Sequence, residues 1–336
     1  MKTKFYRVLA AALLLSGLAV GCSKSKKEQI TVNIGITTYP EVILAEVQGF
    51  FEEELAPLNA TMNIVTFTSG PPVVEALASR SVDFGAFGDQ PALQAISSGV
   101  PVKILSGITD GTESQGLVAR KDSGIKSVKD LKGKKIAAPA GSSAHIVLLV
   151  FLEKEGLTLD DIQYINLDIG SITTSLITGD IDGAVAFGTV FTAPPESEGI
   201  VKVQNGFGYK RSLGVIAGRT EFTEKHPDIT VAILRALQKA AKWRVDNYDE
   251  SIDILAEWYG MEREPIIQLN KATITMLKID QDAQDSILFT ADTLYRYEIL
   301  SEKLTAEKIF DLKFQERAGT ETFPGWGSER ASKYTQ

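Results

Sequence analysis

The sequence predicts an α/β fold with two α/β units and a C-terminal helical region, on three observations. Short β-branched runs alternate with segments of helical period up to residue 106. The same alternation restarts after Arg120, and beyond Gly214 the pattern changes to long amphipathic helices. Strands that alternate with helices of about ten residues favour mostly parallel sheets flanked by helices.

The elements follow in chain order from apolar periodicity and from the turn residues between them. In the first unit, strands are predicted over 30–36, 62–67, 82–87 and 102–106, with helices over 41–55, 71–79 and 91–97. In the second unit, strands are predicted over 136–138, 164–167 and 184–187, with helices over 144–156 and 171–178. The C-terminal helices are predicted over 229–245, 248–259, 265–273, 282–300 and 306–310.

A weak internal repeat relates the two units. Residues 77–88 and 176–188 both run from a leucine through a turn to an aspartate six positions later, then into a strand that ends in glycine. All βαβ units share part of this pattern, but the common spacing favours two homologous lobes that face each other.

The composition excludes several classes of function. The chain has 336 residues, one cysteine and two histidines, so it can form no internal disulfide and no Cys/His zinc site. Asp and Glu total 43 against 35 Lys and Arg, and the net charge of -8 argues against a nucleic-acid binder. We expect no metal and no cofactor.

The single cysteine lies at the end of an N-terminal signal. Lys2, Lys4 and Arg7 precede an apolar run over residues 8–20, which is short for a membrane span and typical of a secretory signal. The small residues before Cys22 resemble a bacterial lipoprotein cleavage box, although Ala19 stands where leucine is commoner. This resemblance implies a signal peptide over 1–21, a lipid on Cys22 and a polar tether over 22–29; an ordinary signal is the alternative.

Three predicted helix starts carry small residues and no lysine or arginine, and two of them also carry serine hydroxyls. They are Ser69-Gly70-Pro71, Gly88-Asp89 and Gly141-Ser142-Ser143. Free N–H groups at a helix start favour a bound anion, and serine hydroxyls add neutral donors. Most such turns merely cap helices, but two belong to the first unit and one to the second, so a ligand could bridge the units.

Residues 30 to about 300 resemble the type II solute-binding proteins of ABC importers, and most closely the sulfonate branch of the sulfonate, taurine and nitrate family. The resemblance rests on Ser-Gly-Pro-Pro at 69–72, Gly-Asp-Gln-Pro at 88–91 and Gly-Ser-Ser-Ala-His at 141–145. It implies a first lobe over 30–119, a second lobe over 120–213, and a return to the first lobe with C-terminal helices over 214–336. The hinge crossings would then fall near 119–121 and 212–215.

The same resemblance implies that the lobes close over a small organic anion and deliver it to a membrane permease with its ATPase. The expected protein is monomeric and works outside the cytoplasm, in the periplasm or at the outer face of the cell membrane. Cleft residues implied by the resemblance are Ser69, Gly70, Pro71, Gly88, Asp89, Ser142, Ser143 and His145; further candidates are Tyr39, Gly188, Thr189 and Arg211.

The ligand class follows from one departure from the family. Many relatives carry an aromatic residue and an aspartate after the last strand of the second lobe, where the aspartate can meet an amine. The segment Ala186-Phe187-Gly188-Thr189-Val190-Phe191 lacks this Trp-Asp-Pro-like pattern, so we expect a sulfonate or another organic anion without an amine. Nitrate, an aromatic acid or a thiamine-precursor-like heterocycle are alternative ligands.

Catalysis is not expected. Ser142, Ser143 and His145 are close in sequence, but the chain has no Gly-x-Ser-x-Gly elbow, and His145 is poorly placed to act as a base for those serines. An enzyme and a structural surface lipoprotein remain the alternatives from other functional classes.

Overall fold

The computed structural model describes residues 28–323 and contains two β-sheets. The predicted signal peptide, Cys22 and the tether up to residue 27 lie outside the described residues. No helix in the described part of the chain is both long and apolar enough to span a membrane.

Twelve strands are described. They are β1 (Ile30–Ile36), β2 (Ala60–Thr66), β3 (Phe84–Gly88), β4 (Val102–Asp110), β5 (Gln115–Arg120), β6 (Lys135–Ala138), β7 (Gln163–Asn166), β8 (Gly183–Phe187), β9 (Ile200–Asn205), β10 (Leu213–Arg219), β11 (Ile274–Met276) and β12 (Thr322–Phe323).

The described α-helices are α1 (Pro40–Val47), α2 (Phe50–Leu55), α3 (Gly70–Ala78), α4 (Asp89–Ser97), α5 (Ser143–Lys154), α6 (Ile169–Thr178), α7 (Thr189–Thr192), α8 (Thr220–Lys225), α9 (Pro227–Asp246), α10 (Tyr248–Tyr259), α11 (Arg263–Lys271), α12 (Gln281–Arg296), α13 (Ala306–Ile309) and α14 (Lys313–Ala318). The predicted α/β class is confirmed.

Each lobe contains one sheet. The first lobe has the strand order β12-β11-β4-β10-β3-β1-β2, and the second has β7-β6-β8-β5-β9. Parallel pairing joins β2, β1 and β3 in one lobe and β7, β6 and β8 in the other, whereas β10 and β5 pair antiparallel with their neighbours. The repeat over 77–88 and 176–188 ends in equivalent strands, β3 and β8, which supports two homologous lobes.

Two segments connect the lobes. The first covers residues 111–114, between β4 of the first sheet and β5 of the second, and the other covers 206–212, between β9 and β10. The predicted crossing at 119–121 is therefore wrong, because residues 115–120 already pair inside the second sheet. The charged stretch that suggested this boundary follows the first strand of the second lobe, whereas the predicted crossing at 212–215 overlaps the end of the observed one.

Helices cover both faces of the first sheet. Helices α1, α2 and α9 pack with β1 in one hydrophobic core, and α3, α4 and α12 pack in a second core on the opposite face. The second core also contains Ile146, Leu149 and Val150 of α5, a second-lobe helix, so apolar packing joins the two lobes beside the cleft.

A substitution at Gly116, next to the first crossing, tests the antiparallel pairing of β5 with β9. A Cβ at Gly116 would lie 2.0 Å from the Gln204 carbonyl oxygen and 2.7 Å from Asn205 Cα. We expect Gly116→Ala to lower the free energy of unfolding by about 1–3 kcal/mol, because backbone cannot move aside as a flexible side chain can. Urea denaturation measures this, with Thr174→Ala on the exposed side of α6 as the control; equal stability of both variants would contradict the tight pairing.

Candidate functional site

A cleft lies between the two sheets, at the carboxyl ends of parallel strands from both lobes. Residues that follow β1, β3, β6 and β8 line it, together with residues of the two crossings. In open α/β sheets this edge is where ligands bind. The cavity volume is about 80 Å³. Since one water needs about 10–15 Å³ by this measure, the cavity has room for a few waters or one small organic ion.

Three helix starts meet in this cleft. A Cβ at Gly88, before α4, would lie 3.1 Å from Ser143 Cβ at the start of α5. A Cβ at Gly70, at the start of α3, would lie 2.4 Å from Pro91 Cγ of α4, and one at Gly141 would lie 3.4 Å from Pro71 Cγ. The glycines and the small Ser143 therefore permit a contact between lobes that larger side chains would prevent. The N-cap residues of α3, α4 and α5 make no side-chain hydrogen bond that would cap their helices.

Neutral hydrogen-bonding groups surround these helix starts. Thr38 and Ser143 line the cleft, and neither hydroxyl bonds to another described residue. Gln115 Oε1 and Ser212 Oγ also belong to cleft-lining residues; both atoms are buried, and neither has a partner among residues 28–323. Ser142 lines the cleft as well, but its hydroxyl donates to the Pro139 carbonyl at 2.7 Å. The sequence did not single out Thr38 or Gln115 because their neighbours form no recognisable motif.

The predicted residue Tyr39 lies in the cleft. It is buried, and a Cβ at Gly214 would lie 2.5 Å from its ring, so only glycine at position 214 leaves room for this side chain. Burial raises the pKa of Tyr39 well above its usual range, against the opposing effect of a side-chain hydrogen bond with Thr37, so the phenol keeps its proton. The phenol thus adds a neutral polar group to the cleft.

A charged pair lies at the other side of the cleft. Arg244 of α9 forms an ion pair with Oε1 of Glu41, in the first turn of α1, and also donates to Thr275 Oγ1 at 3.2 Å. Thr275 Oγ1 donates to the same Glu41 oxygen at 2.6 Å. Both charged residues line the cavity. Neither was predicted from the sequence, because the pair joins positions 203 residues apart.

Asp89 lies beneath the cleft surface. Its carboxylate and the Lys210 ammonium are 2.8 Å apart, and both side chains are fully buried. The Thr290 hydroxyl and the Gln90 N–H also donate to this carboxylate. Because its oxygens are occupied by protein donors and it is absent from the cavity lining, Asp89 is not available to a ligand and instead joins α4 to the second crossing.

Gly188 lines the cleft in a conformation that favours glycine. Its φ is +62°, its N–H donates to the Ser114 carbonyl at 3.0 Å, and a Cβ there would lie 3.9 Å from Thr38 Oγ1 in the other lobe. Thr189, the next residue, starts α7 and is not part of the cavity lining. This segment therefore offers backbone, but no carboxylate, to a ligand.

The other predicted residues lie outside the cavity lining. Ser69 is buried just before α3, and Pro71 packs on Gly141. Arg211 donates to Asp110 Oδ2 at 2.7 Å. This ion pair ties the end of β4 to the second crossing, so Arg211 is neither in the cavity lining nor a fully solvated charge.

His145 lies behind the start of α5. Its ring stacks on Tyr164 with centroids 5.5 Å apart, and its Nδ1 accepts a hydrogen bond from the Gly141 N–H at 3.4 Å. Burial lowers the pKa of His145, so the imidazole is neutral at pH 7 and supplies no positive charge to an anion. No cluster of metal-ligating side chains is found within residues 28–323.

We expect a large loss of stability when the buried Lys210–Asp89 ion pair is broken. Lys210→Met leaves a buried carboxylate without its cation, and we expect the free energy of unfolding to fall by about 3–5 kcal/mol in urea denaturation. The double variant Lys210→Met/Asp89→Asn removes both charges and should recover part of this loss. A single variant as stable as the native chain would show that the pair contributes nothing.

The lowered pKa of His145 predicts a pH dependence. Because the folded pKa lies below the unfolded value of about 6.5, the unfolded state binds the proton first, and stability falls as the pH drops through and below that value. We expect the decrease in Tm between about pH 7.5 and 5.5 to be smaller for His145→Gln than for the native chain. His226→Gln removes the other histidine and is the control; equal decreases in all three proteins would contradict the prediction.

The NMT1/THI5-like family model matches residues 37–251. A putative aliphatic sulfonates-binding protein of Bacillus subtilis (strain 168) is 29% identical over 325 residues, which cover 95% of this chain and 97% of that protein. The taurine-binding periplasmic protein of Escherichia coli (strain K12) is 29% identical over 280 residues, covering 81% of this chain and 85% of that protein. These matches confirm the predicted resemblance to the sulfonate- and taurine-binding proteins.

Solved structures show the same fold. The alkanesulfonate-binding protein SsuA from Xanthomonas axonopodis pv. citri, bound to MOPS, aligns with a TM-score of 0.76 and 23% identity over 84% of this chain and 99% of that chain. The desulfurization enzyme DSZB also shares the fold, with a TM-score of 0.63, 15% identity and coverage of 86% of this chain and 98% of that one. The fold is therefore compatible with binding and with catalysis. The chain belongs to the NMT1/THI5-like family and has the fold of the periplasmic binding proteins.

Proposed function

We propose that this protein is the extracytoplasmic solute-binding component of an ABC importer and that it captures a small organic sulfonate between its lobes. The observation that carries the proposal is the meeting of three helix starts, from both lobes, on one small cavity with neutral donors around them. Helix N-termini hold anions through their free N–H groups and their dipoles. The named sulfonate- and taurine-binding relatives support the same ligand class.

The geometry favours a sulfonate over other anions. A sulfonate carries three oxygens in a tripod and stays ionised at any physiological pH, so it can accept hydrogen bonds from several directions at once. The starts of α3, α4 and α5 approach the cavity from different elements and provide such donors without a lysine or arginine. Nitrate is planar, and a carboxylate has only two oxygens, so each would use fewer of these donors.

We propose that the ligand-binding residues include Tyr39, Gly70, Gly88, Ser142, Ser143 and Gly188 among the residues predicted from sequence, with Thr38 and Gln115 in addition. Ligand binding would stabilise the closed arrangement of the lobes by its higher affinity for that state. The protein would then pass the ligand to a permease and its ATPase, as a monomer held at the membrane by a lipid on Cys22.

A catalytic function is less well supported. Among the described residues, the Ser142 hydroxyl donates to a backbone carbonyl and His145 Nδ1 accepts a backbone N–H, so the two side chains do not pair as nucleophile and base. The named relatives are binding proteins. Neutral donors that hold an anion suffice for capture of a solute.

Calorimetric titration tests the proposal. The purified protein, dialysed to remove bound solute, is titrated with 1-propanesulfonate, propionate, nitrate and benzoate. We expect the sulfonate to bind at least about tenfold more tightly than the other three, since it alone can use donors on all sides. Tighter binding of propionate, nitrate or benzoate would replace the sulfonate assignment, and absence of binding by all four would overturn the proposed function.

The proposed anion site predicts that Ser143 contributes to ligand affinity and that Ser69 does not. Ser143→Ala combined with Thr38→Val removes two unpartnered cleft hydroxyls, and we expect about a tenfold or greater loss of affinity for the best ligand. Ser69→Ala, a similar change beside the start of α3 but outside the cavity lining, is the matched control and should bind as the native chain does. If Ser69→Ala weakens binding more than the double variant, the site is misplaced.

A further inference from the structure

A second and larger pocket, which we call the outer groove, also lies between the lobes. Its volume is about 470 Å³, against about 80 Å³ for the cavity at the helix starts. Residues of the first crossing line it, together with residues of α7 and β9 from the second lobe and of α11 from the first. Lys202 and Lys271 belong to this lining and are exposed, so the outer groove is open to solvent.

Three short segments separate the outer groove from the cavity. In each segment one residue lines the outer groove and a nearby residue of the same segment lines the cavity. The pairs are Glu113 with Ser114 in the first crossing, Thr192 with Gly188 at the two ends of α7, and Gln268 with Leu269 in α11. Helices α7 and α11 contact each other. They therefore form a wall between the two spaces, with one helix from each lobe.

This wall is held less firmly than the rest of the contact between the lobes. Elsewhere between them, α5 shares an apolar core with α4 and α12, and Arg296 of α12 pairs with Glu153 of α5 at 2.6 Å. Helices α7 and α11 touch, but no hydrogen bond joins one to the other in the described part of the chain. Movement of α7 away from α11 therefore connects the outer groove to the cavity at a small cost in broken interactions.

Lys202 places a positive charge at this wall. Its ammonium donates to the Thr192 carbonyl, at the end of α7, at 3.1 Å, and it forms no ion pair with another residue among 28–323. Because an ammonium has three donors, others remain for an anion in the outer groove. Lys271 adds a second positive charge to the lining and Glu113 one negative charge, which leaves the outer groove positive.

The outer groove supplies an attraction that the rest of the molecule lacks. The chain has a net charge of -8 and as a whole repels an anion at long range. The helix starts around the cavity act only at close range, because the dipole effect falls off within the first turn. Arg244 lines the cavity but is paired with Glu41. Positive charge that lines a groove raises the local concentration of an anion and its association rate.

We propose that the outer groove is a second anion site, at which Lys202 and Lys271 capture the organic anion before it passes between α7 and α11 into the cavity. The inference rests on the proposed function and adds a route to the same cavity. The two sites have different roles. The outer groove sets the rate of association, whereas the donors at the helix starts set how long the anion stays bound.

Stopped-flow mixing with 1-propanesulfonate, followed by tryptophan fluorescence, measures the association and dissociation rate constants. In about 10 mM salt, where charges act over about 30 Å, we expect Lys202→Gln to lower the association rate constant at least about threefold. Lys202→Gln/Lys271→Gln should lower it further, and the dissociation rate constant should change less than about twofold. In about 1 M salt, where charges act over about 3 Å, both variants should associate as fast as the native protein.

Two further variants separate local charge from structure and from net charge. Lys202→Arg keeps the charge and should keep the native association rate. Lys225→Gln removes an exposed lysine of α8 that lines neither pocket, and it should also associate as the native protein does. If Lys202→Gln leaves association unchanged, or if Lys225→Gln slows it equally, the outer groove is not a capture site and the proposed function still stands. If 1-propanesulfonate does not bind the native protein in calorimetry, both fail.

Discussion

The contact between the first turns of α3, α4 and α5 is the constraint on which the cleft depends. Two of these helices belong to the first lobe and one to the second, and small residues bring their starts into van der Waals contact. The Gln90 side chain reinforces the contact by accepting the Ile146 N–H of α5 at 2.9 Å. Larger side chains at these turns would separate the lobes and move the free N–H groups apart.

The placement of charge follows from this constraint. Helix starts that meet without lysine or arginine present a weakly positive, neutral-donor surface, which holds an anion without fixing it in a strong ion pair. The full charges nearby are already paired. Asp89 with Lys210 and Asp110 with Arg211 secure the second crossing to the first lobe, and Arg244 occupies one oxygen of Glu41. A ligand therefore meets mostly dipoles in the described part of the cleft.

The second lobe interrupts the first lobe in the sequence, and the two crossings allow both lobes to form sheets of similar topology. Strand β5 enters the second sheet beside β8, and β10 enters the first sheet beside β3, so each lobe receives one antiparallel strand directly from a crossing. The Gly111 N–H donates to the Ser212 carbonyl and the Ser212 N–H donates to Thr112 Oγ1, both at 2.9 Å, so the two crossings are hydrogen-bonded to each other. Tyr209 in the second crossing also packs on Phe151 of α5, which couples this crossing to the second lobe.

Local pattern determined the α/β class, most element positions and the three helix starts, because periodicity, small residues and prolines act over a few neighbouring positions. Tertiary structure decided the rest. Asp89 and Arg211 looked available in sequence, yet each pairs with a residue more than a hundred positions away, and the first crossing lies before β5 because strand pairing, not chain charge, defines a lobe. Glu41, Arg244 and Gln115 became part of the site only when separate elements came together, since burial and hydrogen-bond partners are properties of the folded chain.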